Sequence, residues 1–249
     1  MLVLLPPSET KAVGGDGAPL EFDQLSFSEL TRTRERIGST LMRLGANPAR
    51  AAKVLGLGRT QSDELRHNDQ LLASPTMPAI RRYTGVLFDA LDYASLRPAE
   101  RTRADARLAV GSALFGLVRA ADPIPAYRLS GGTRLPRLGT LGAVWRPALG
   151  PVLSRVAEQE LVVDLRSGAY RSLAPITDAV TVRVLSERPD GSLGVVSHFN
   201  KATKGRLARL LASSSRECRG VGDVLAVARR GGLQVEQVDD LAIDVVART

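Results

Sequence analysis

The sequence predicts a mixed α/β fold, with one mixed β-sheet covered by helices. Three observations lead there. Short, continuous apolar runs at 1–5, 107–111 and 160–165 have the length and character of buried strands. Stretches with helical spacing separate them. The later apolar runs arrive in pairs around turn signals, as hairpin strands do. Together these predict one domain over residues 1–249, with 28–106 forming a helix-rich lobe on the sheet.

In chain order, Leu2–Leu5 is the first strand, ended by Pro6-Pro7, and the run is too short for a signal peptide. "AVGGDGAPL" (12–20) is a Gly-rich loop. Residues 28–45 carry Leu30, Ile37, Leu41 and Leu44 at helical spacing and stop at Gly45. Asn47-Pro48 reads as an N-cap followed by proline in the first turn, opening a helix to about Val54. Further helices are expected at 60–72, with Leu65 and Leu72 on one side, at 78–92, and at 97–106 after Pro98. A strand at 107–111 runs into a turn, and the Pro/Gly/Arg-rich stretch 119–142 is an ordered loop. Trp145 to Ala157 is a helix with Pro147 in its first turn. "ELVVDLRS" (160–167), "AVTVRVLSE" (179–187) and "GSLGVVSHF" (191–199) read as strands, the last two around "RPDG". Helices at 200–213 and 220–230 follow, then two closing strands around Asp239-Asp240.

The chain carries a formal net charge of +8. The excess sits in two blocks: residues 107–175 hold nine Arg against four acidic residues, and 199–219 hold six basic residues against Glu217. That distribution points to an anionic partner, DNA or a small molecule. The bland alternative is a pair of solvated faces, since only four of the 34 basic residues are Lys, a bias that a GC-rich genome also produces. No apolar run reaches about 18 residues, so no membrane span is expected. Cys218 stands alone, which excludes an intrachain disulfide and suits a reducing cytoplasm. One Cys and two His argue against a dedicated zinc site, and no cofactor or metal is expected.

Four stretches can carry chemistry. "VLGLGRTQSDEL" (54–65) has the apolar-Gly-apolar-Gly turn of a helix-hairpin-helix motif at Leu55, Gly56, Leu57 and Gly58, followed by Arg59. Glycines there allow close backbone approach, and the amides opening the next helix can face a phosphate. The same turn also links packed helices of no special function, and Asp63 and Glu64 repel phosphate. "ADPIPAYRLSGGTRLP" (121–136) offers Arg128 and Arg134 as bidentate clamps and Tyr127 as a stacking platform or hydroxyl donor, or else forms a structural loop. "VVDLRSGAYRSL" (162–173) places Asp164, Arg166, Ser167, Tyr170 and Arg171 at the end of a strand, where open α/β sheets bind ligands, although Asp164 can equally anchor a buried arginine. "VSHFNKATKGRLARLL" (196–211) sets His198 at a strand end and Lys201 and Lys204 at a helix start, which favours anions and not cations. A bound anion resolves that conflict. A lysine crowded by cations also acquires a lowered pKa and can serve as base or nucleophile.

These blocks resemble a known family. "LLPPSETK" at the N-terminus, "YTGVL" (83–87), "GSALFGLVRAADPIPAYRLSGG" (111–132), "VVDLRSGAYRSL" and "VSHFNKATKGRLARLL" are similar, in order and spacing, to the blocks of the YaaA family of peroxide stress proteins. The resemblance implies a single mixed α/β unit with a positively charged cleft, a helix-hairpin-helix element and DNA binding under oxidative stress. The chain departs from the family's usual text at Pro7-Ser8-Glu9-Thr10-Lys11 and at Phe199-Asn200-Lys201-Ala202-Thr203-Lys204-Gly205.

The expectation is therefore a cytoplasmic YaaA-like protein that binds double-stranded DNA, without sequence preference, through a basic cleft and the 55–59 hairpin. The rival is an enzyme acting on a nucleotide, nucleobase or other anionic small molecule. Its catalytic groups come from Lys201, His198, Asp164 and Glu9, and its ligand contacts from Ser8, Lys11, Tyr127, Arg128, Arg134, Arg166, Tyr170, Asn200 and Lys204. A third reading, iron handling by Glu9, Asp164 and His198, lacks metal-ligand spacing. The shape of the cleft discriminates: an open groove suits a duplex, and a closed pocket with convergent polar groups suits an enzyme.

Overall fold

The computed structural model describes residues 1–58, 64–187, 193–194 and 197–247. The chain opens with β1 (Leu2–Leu5) and β2 (Gly17–Pro19), then enters the helical lobe: α1 (Thr31–Gly45), α2 (Pro48–Leu55) and α3 (Leu65–Asp69). β3 (Pro75–Pro78), α4 (Ala79–Arg82), α5 (Val86–Leu91) and α6 (Pro98–Arg107) lead back to the sheet through β4 (Leu108–Ser112) and β5 (Gly116–Arg119). The short strands β6 (Pro123–Ile124), β7 (Arg134–Leu135) and β8 (Gly139–Thr140) precede α7 (Leu141–Gln159), β9 (Val162–Asp164) and α8 (Gly168–Arg171). β10 (Ala179–Glu187), β11 (Leu193–Gly194), α9 (Ser197–Ser213), α10 (Val221–Arg230), β12 (Gln234–Asp239) and β13 (Ala242–Ala247) complete the described chain.

The main sheet runs β12-β13-β10-β9-β1-β4-β5, with β11 paired to β10. β1 pairs in parallel with β4 on one side and β9 on the other, in register Leu2↔Val162, Val3↔Val163 and Leu4↔Asp164. β9, β10 and β13 continue the parallel run, while β12 and β5 close the edges antiparallel. All four residues of β1 are fully buried, as an apolar run flanked by two parallel neighbours must be. Taken in chain order, the five parallel strands lie second-first-third-fourth-fifth. Strand order therefore reverses between β1 and β9, and open α/β sheets bind ligands outside the carboxyl ends of the strands at that point.

Buried arginines tie distant segments of the chain together, and Arg34 ties the lobe to the main sheet through β5. Arg34 donates to Phe115 O (3.0 Å), Leu117 O (2.7 Å) and Ser26 O (2.7 Å). Arg82 donates to Ile124 O (3.1 Å), Gly14 O (2.8 Å) and Pro75 O (3.1 Å). Neither guanidinium is solvent-accessible, and each finds its buried acceptors among backbone carbonyls. Asn47 caps α2 through its side chain, which accepts from Arg50 N at 3.0 Å, with Pro48 in the first turn.

Several elements differ from expectation. The 78–92 helix is two helices, α4 and α5, broken where Gly85 takes φ 98°. The helix expected over 60–72 is described only as α3; it stops at Asp69, so its period does not reach Leu72, which is 44% exposed while Leu71 is buried. Of the 191–199 run, residues 191–192 and 195–196 lie outside the described residues; Leu193–Gly194 is strand, and α9 begins at Ser197. His198 therefore belongs to a helix start and not a strand end, and Lys201 and Lys204 fall beyond the first turn. The turn expected after 107–111 leads straight into an unexpected partner strand, β5, and the expected 119–142 loop contains the short strands β6, β7 and β8. No helix among the described residues is long and apolar enough to cross a membrane.

Candidate functional site

The segment leaving β1 is held in place by its own lysine. Lys11 Nζ donates to Ser8 O (3.0 Å) and Glu9 O (3.3 Å) and lies 4.2 Å from the centroid of the Tyr127 ring. Burial pushes its ammonium down to about 8, opposed by the Glu9 carboxylate. A hydroxyl chain backs this lysine: Tyr83 and Tyr127 meet at 2.9 Å, Tyr127 meets Ser112 Oγ at 2.9 Å, and Ser112 Oγ accepts from Phe115 N at 3.0 Å. Burial raises both phenols, Tyr83 to about 12 and Tyr127 well above the ordinary phenol value. These groups are neutral donors and acceptors at any physiological pH.

The segment leaving β9 is held by an internal ion pair. Arg166 grips Asp164 with both faces of its fork, Nε to Oδ1 at 2.9 Å and Nη2 to Oδ2 at 2.8 Å, and donates also to Ala174 O at 3.1 Å. Both side chains are 3% exposed or less. Gly111 on β4 makes room for this pair, since a Cβ there would lie 3.0 Å from Arg166 Cδ. Tyr170 is positioned through its hydroxyl oxygen, which accepts from Gly131 N at 3.1 Å.

Helix α9 forms the third wall. Gly205 lets it pack on α5, where a Cβ would fall 2.2 Å from Leu87 O. That contact aims Lys204 at the end of β9, and its Nζ donates to Leu165 O at 3.1 Å. Burial, reinforced by the neighbouring Arg171 guanidinium, lowers Lys204 to about 8 against the pull of Asp164.

The three walls enclose a cleft of about 1230 Å³. Ser8, Glu9 and Thr10 line it from the β1 segment; Arg166, Ser167, Tyr170 and Arg171 from the β9 segment; Asn200, Lys201 and Lys204 from α9. Val182 and Val184 of β10 and Leu87 and Phe88 of α5 supply apolar wall.

Of the residues expected at the site, Ser8, Glu9, Arg166, Tyr170, Asn200, Lys201 and Lys204 thus come together. Lys11 and Tyr127 stand directly behind the β1 segment. Arg128 braces it from outside, with Nη1 3.7 Å from Glu9 Oε2 and 3.0 Å from Glu64 Oε2. Asp164 is committed to Arg166 and is no free base. Arg134 is exposed on the β7–β8 hairpin, outside the cleft wall. The side chain of His198 and all of Arg59 lie outside the described residues. Leu55 is buried at the end of α2, Gly56 follows with φ 66°, and Leu57 packs partly buried on the core just before Gly58. Among the described residues no group of three or more His, Cys, Asp or Glu side chains gathers as metal ligands. Sequence reasoning missed the Tyr83 and Ser112 hydroxyls and the α5 wall; "YTGVL" held part of that signal, but nothing in its text marks Thr84-Gly85 as facing Ser8 and Thr10.

A sequence profile described as peroxide stress protein YaaA matches residues 1–236. The chain belongs to the YaaA family of peroxide stress proteins. A UPF0246 protein of Corynebacterium glutamicum strain ATCC 13032 is 51% identical over 241 residues, covering 95% of each chain. A UPF0246 protein of Streptomyces coelicolor is 45% identical over 239 residues, 95% of this chain and 92% of the relative. A more distant one from Shewanella sp. strain MR-4 is 30% identical and covers 85% of both. The YaaA match includes the β1 segment, the β9 segment and α9, so all three polar walls of the cleft lie within the family region.

Proposed function

We propose that this YaaA-family chain binds, and acts on, a small phosphate- or carboxylate-bearing molecule in the cleft between β1 and β9. One observation carries the reading: the segments leaving both strands at the switch point, together with α9, converge polar side chains on a cleft of about 1230 Å³. That volume accommodates a molecule of nucleotide size. Arg171, Lys201 and Lys204 supply the anion contacts, and Val182, Val184, Leu87 and Phe88 accept an apolar part.

A second reading, duplex binding at Leu55–Gly58, draws on a different observation. Gly56 adopts the left-handed turn that a helix-hairpin-helix needs, and the space where its Cβ would stand is open to 4 Å. A phosphate can approach such a backbone closely.

Thermal unfolding separates the two. Inorganic pyrophosphate or a mononucleotide at about a hundred times its dissociation constant is expected to raise Tm by roughly 5–10 °C. Lys201→Ala is expected to lower that affinity about tenfold, as loss of one charge-assisted contact does. Duplex binding that Gly58→Val abolishes, with no Tm response to any small anion, would establish the second reading in place of the first.

A further inference from the structure

We infer that Lys204 is a reactive amine that forms an imine with an aldehyde or ketone carrying a carboxylate or phosphate group. The inference rests on the anion-binding reading of the same cleft and names the chemical class of its substrate. Four features of the geometry lead to it. Lys204 lines the cleft, yet its only hydrogen bond among the described residues is the single donation to Leu165 O. The nitrogen therefore keeps its remaining positions for a ligand. No described carboxylate pairs with it, because Asp164, the acid whose field reaches it, is spent on Arg166. Arg171 of the β9 segment and Lys201, one turn earlier on its own helix, line the same cleft, as do Arg166, Arg183 and the carboxylates of Glu9, Asp239 and Asp244; none of these carboxylates forms a salt bridge with Lys204 among the described residues. Arg171 disfavours a further cation at Lys204, and Arg171 and Lys201 together can hold an anion beside it. The apolar wall of Leu87, Phe88, Val182 and Val184 gives the carbon skeleton its place and limits water around the amine.

The lowered basicity of Lys204 agrees with this geometry, since a fraction of the amine is then uncharged near neutrality. In the step proposed, the neutral amine adds to the carbonyl carbon and one amine proton passes to the carbonyl oxygen. That oxygen leaves as water, and a protonated imine remains. One C=O double bond is exchanged for one C=N double bond, one proton is taken up from solvent, and no electrons are transferred. Lys11 has an equally lowered basicity, but two backbone carbonyls and the face of Tyr127 already occupy its nitrogen, so it serves as an anchor.

The test uses glyoxylate as probe, with cyanoborohydride to fix any imine, on the full chain at pH 7. The protein has only four lysines, Lys11, Lys53, Lys201 and Lys204, so peptide mapping by mass spectrometry assigns the adduct. Lys204 is expected to be labelled at least roughly tenfold faster than Lys53, a difference set by its larger neutral fraction. Excess inorganic phosphate is expected to slow Lys204 and leave Lys53 unchanged. Lys204→Arg, which keeps a donor for Leu165 O, is expected to retain phosphate binding and lose the fast adduct. If phosphate raises Tm but Lys204 reacts no faster than Lys53, the reactive amine is overturned and the anion site stands. If Lys201 or Lys11 is the fast amine, the assignment to Lys204 is overturned. If Lys204 reacts fast and phosphate neither slows it nor raises Tm, the anionic substrate class is overturned along with the anion site.

Discussion

Asp164 and Arg166 show how a residue can look functional in the sequence and be structural in the fold. Both stand at a strand end, where ligands bind, but they complete each other's bonding in the interior. Removing one partner of such a pair leaves a buried charge without compensation. Arg166→Met is therefore expected to cost about 3–5 kcal/mol in urea unfolding, and the double change with Asp164→Leu less than that. Lys204 behaves in the opposite way, because its cation has been left short of partners. Its pKa falls from 10.5 unfolded to about 8 folded, so the unfolded chain holds the proton more tightly between those values. Its contribution to stability accordingly rises with pH from about 8 to 10.5, and below pH 8 the ammonium is a standing cost. A bound anion reverses that cost. Phosphate affinity is expected to fall as pH rises from 7 to 9, and to fall less in Lys204→Met; titration calorimetry at the two pH values checks this, and an identical pH dependence in both proteins would remove Lys204 from the binding site.

At the scale of elements, α9 decides where the lysines point, and Gly205 decides where α9 sits. A methyl at that position collides with the backbone oxygen of Leu87, which cannot move aside as a flexible side chain would. Gly205→Ala is expected to destabilise by about 1–3 kcal/mol and to weaken phosphate binding as Lys201 and Lys204 shift. Denaturant melts and binding isotherms on the same variant separate the two effects. Elements were readable where one local signal dominates. Leu2–Leu5 is apolar throughout because it has parallel neighbours on both sides, and Asn47-Pro48 announces a helix start by chemistry alone. Reading failed where tertiary contacts overrule the local pattern. "GSLGVVSHF" has the composition of a strand, yet α9 takes its last residues because the helix packs on α5 and α6. Gly85 looks like any helical glycine, yet it turns the chain so that Thr84 reaches Thr10, with Thr84 Oγ1 donating to Thr10 Oγ1 at 3.3 Å.

At the scale of the molecule, the net charge of +8 overstates what the surface displays at any one place. Arg34, Arg82 and Arg166 are internal, and Arg183 is paired to Asp244 at 2.6 Å. A count of arginines along the chain cannot distinguish a guanidinium that staples two layers from one that meets a ligand. The site was legible as a set of blocks, since "PPSETK", "DLRSGAY" and "NKATKG" do converge. Its partition was not, because which residues face the cleft and which stand behind it depends on rotations of a single side chain. Lys11 and Lys204 are both lysines in charged surroundings, yet one is enclosed by carbonyls and a ring and the other faces open space. Cys218, the lone thiol, is buried with its pKa raised by desolvation and nearby Asp223, so it is poorly disposed to react with oxidants.

The pairing of Leu2 with Val162 also sets a clock on biosynthesis. These partners are separated by 160 positions of sequence, and a ribosome adding about 5–20 residues per second needs roughly 8–32 s to cover that interval. Throughout it, four consecutive aliphatic residues have at most the β4 side of their pairing available. A nascent chain in that state exposes an unsatisfied apolar edge, which makes it a natural client for chaperones and a point where crowding or translational stalling favours aggregation over folding.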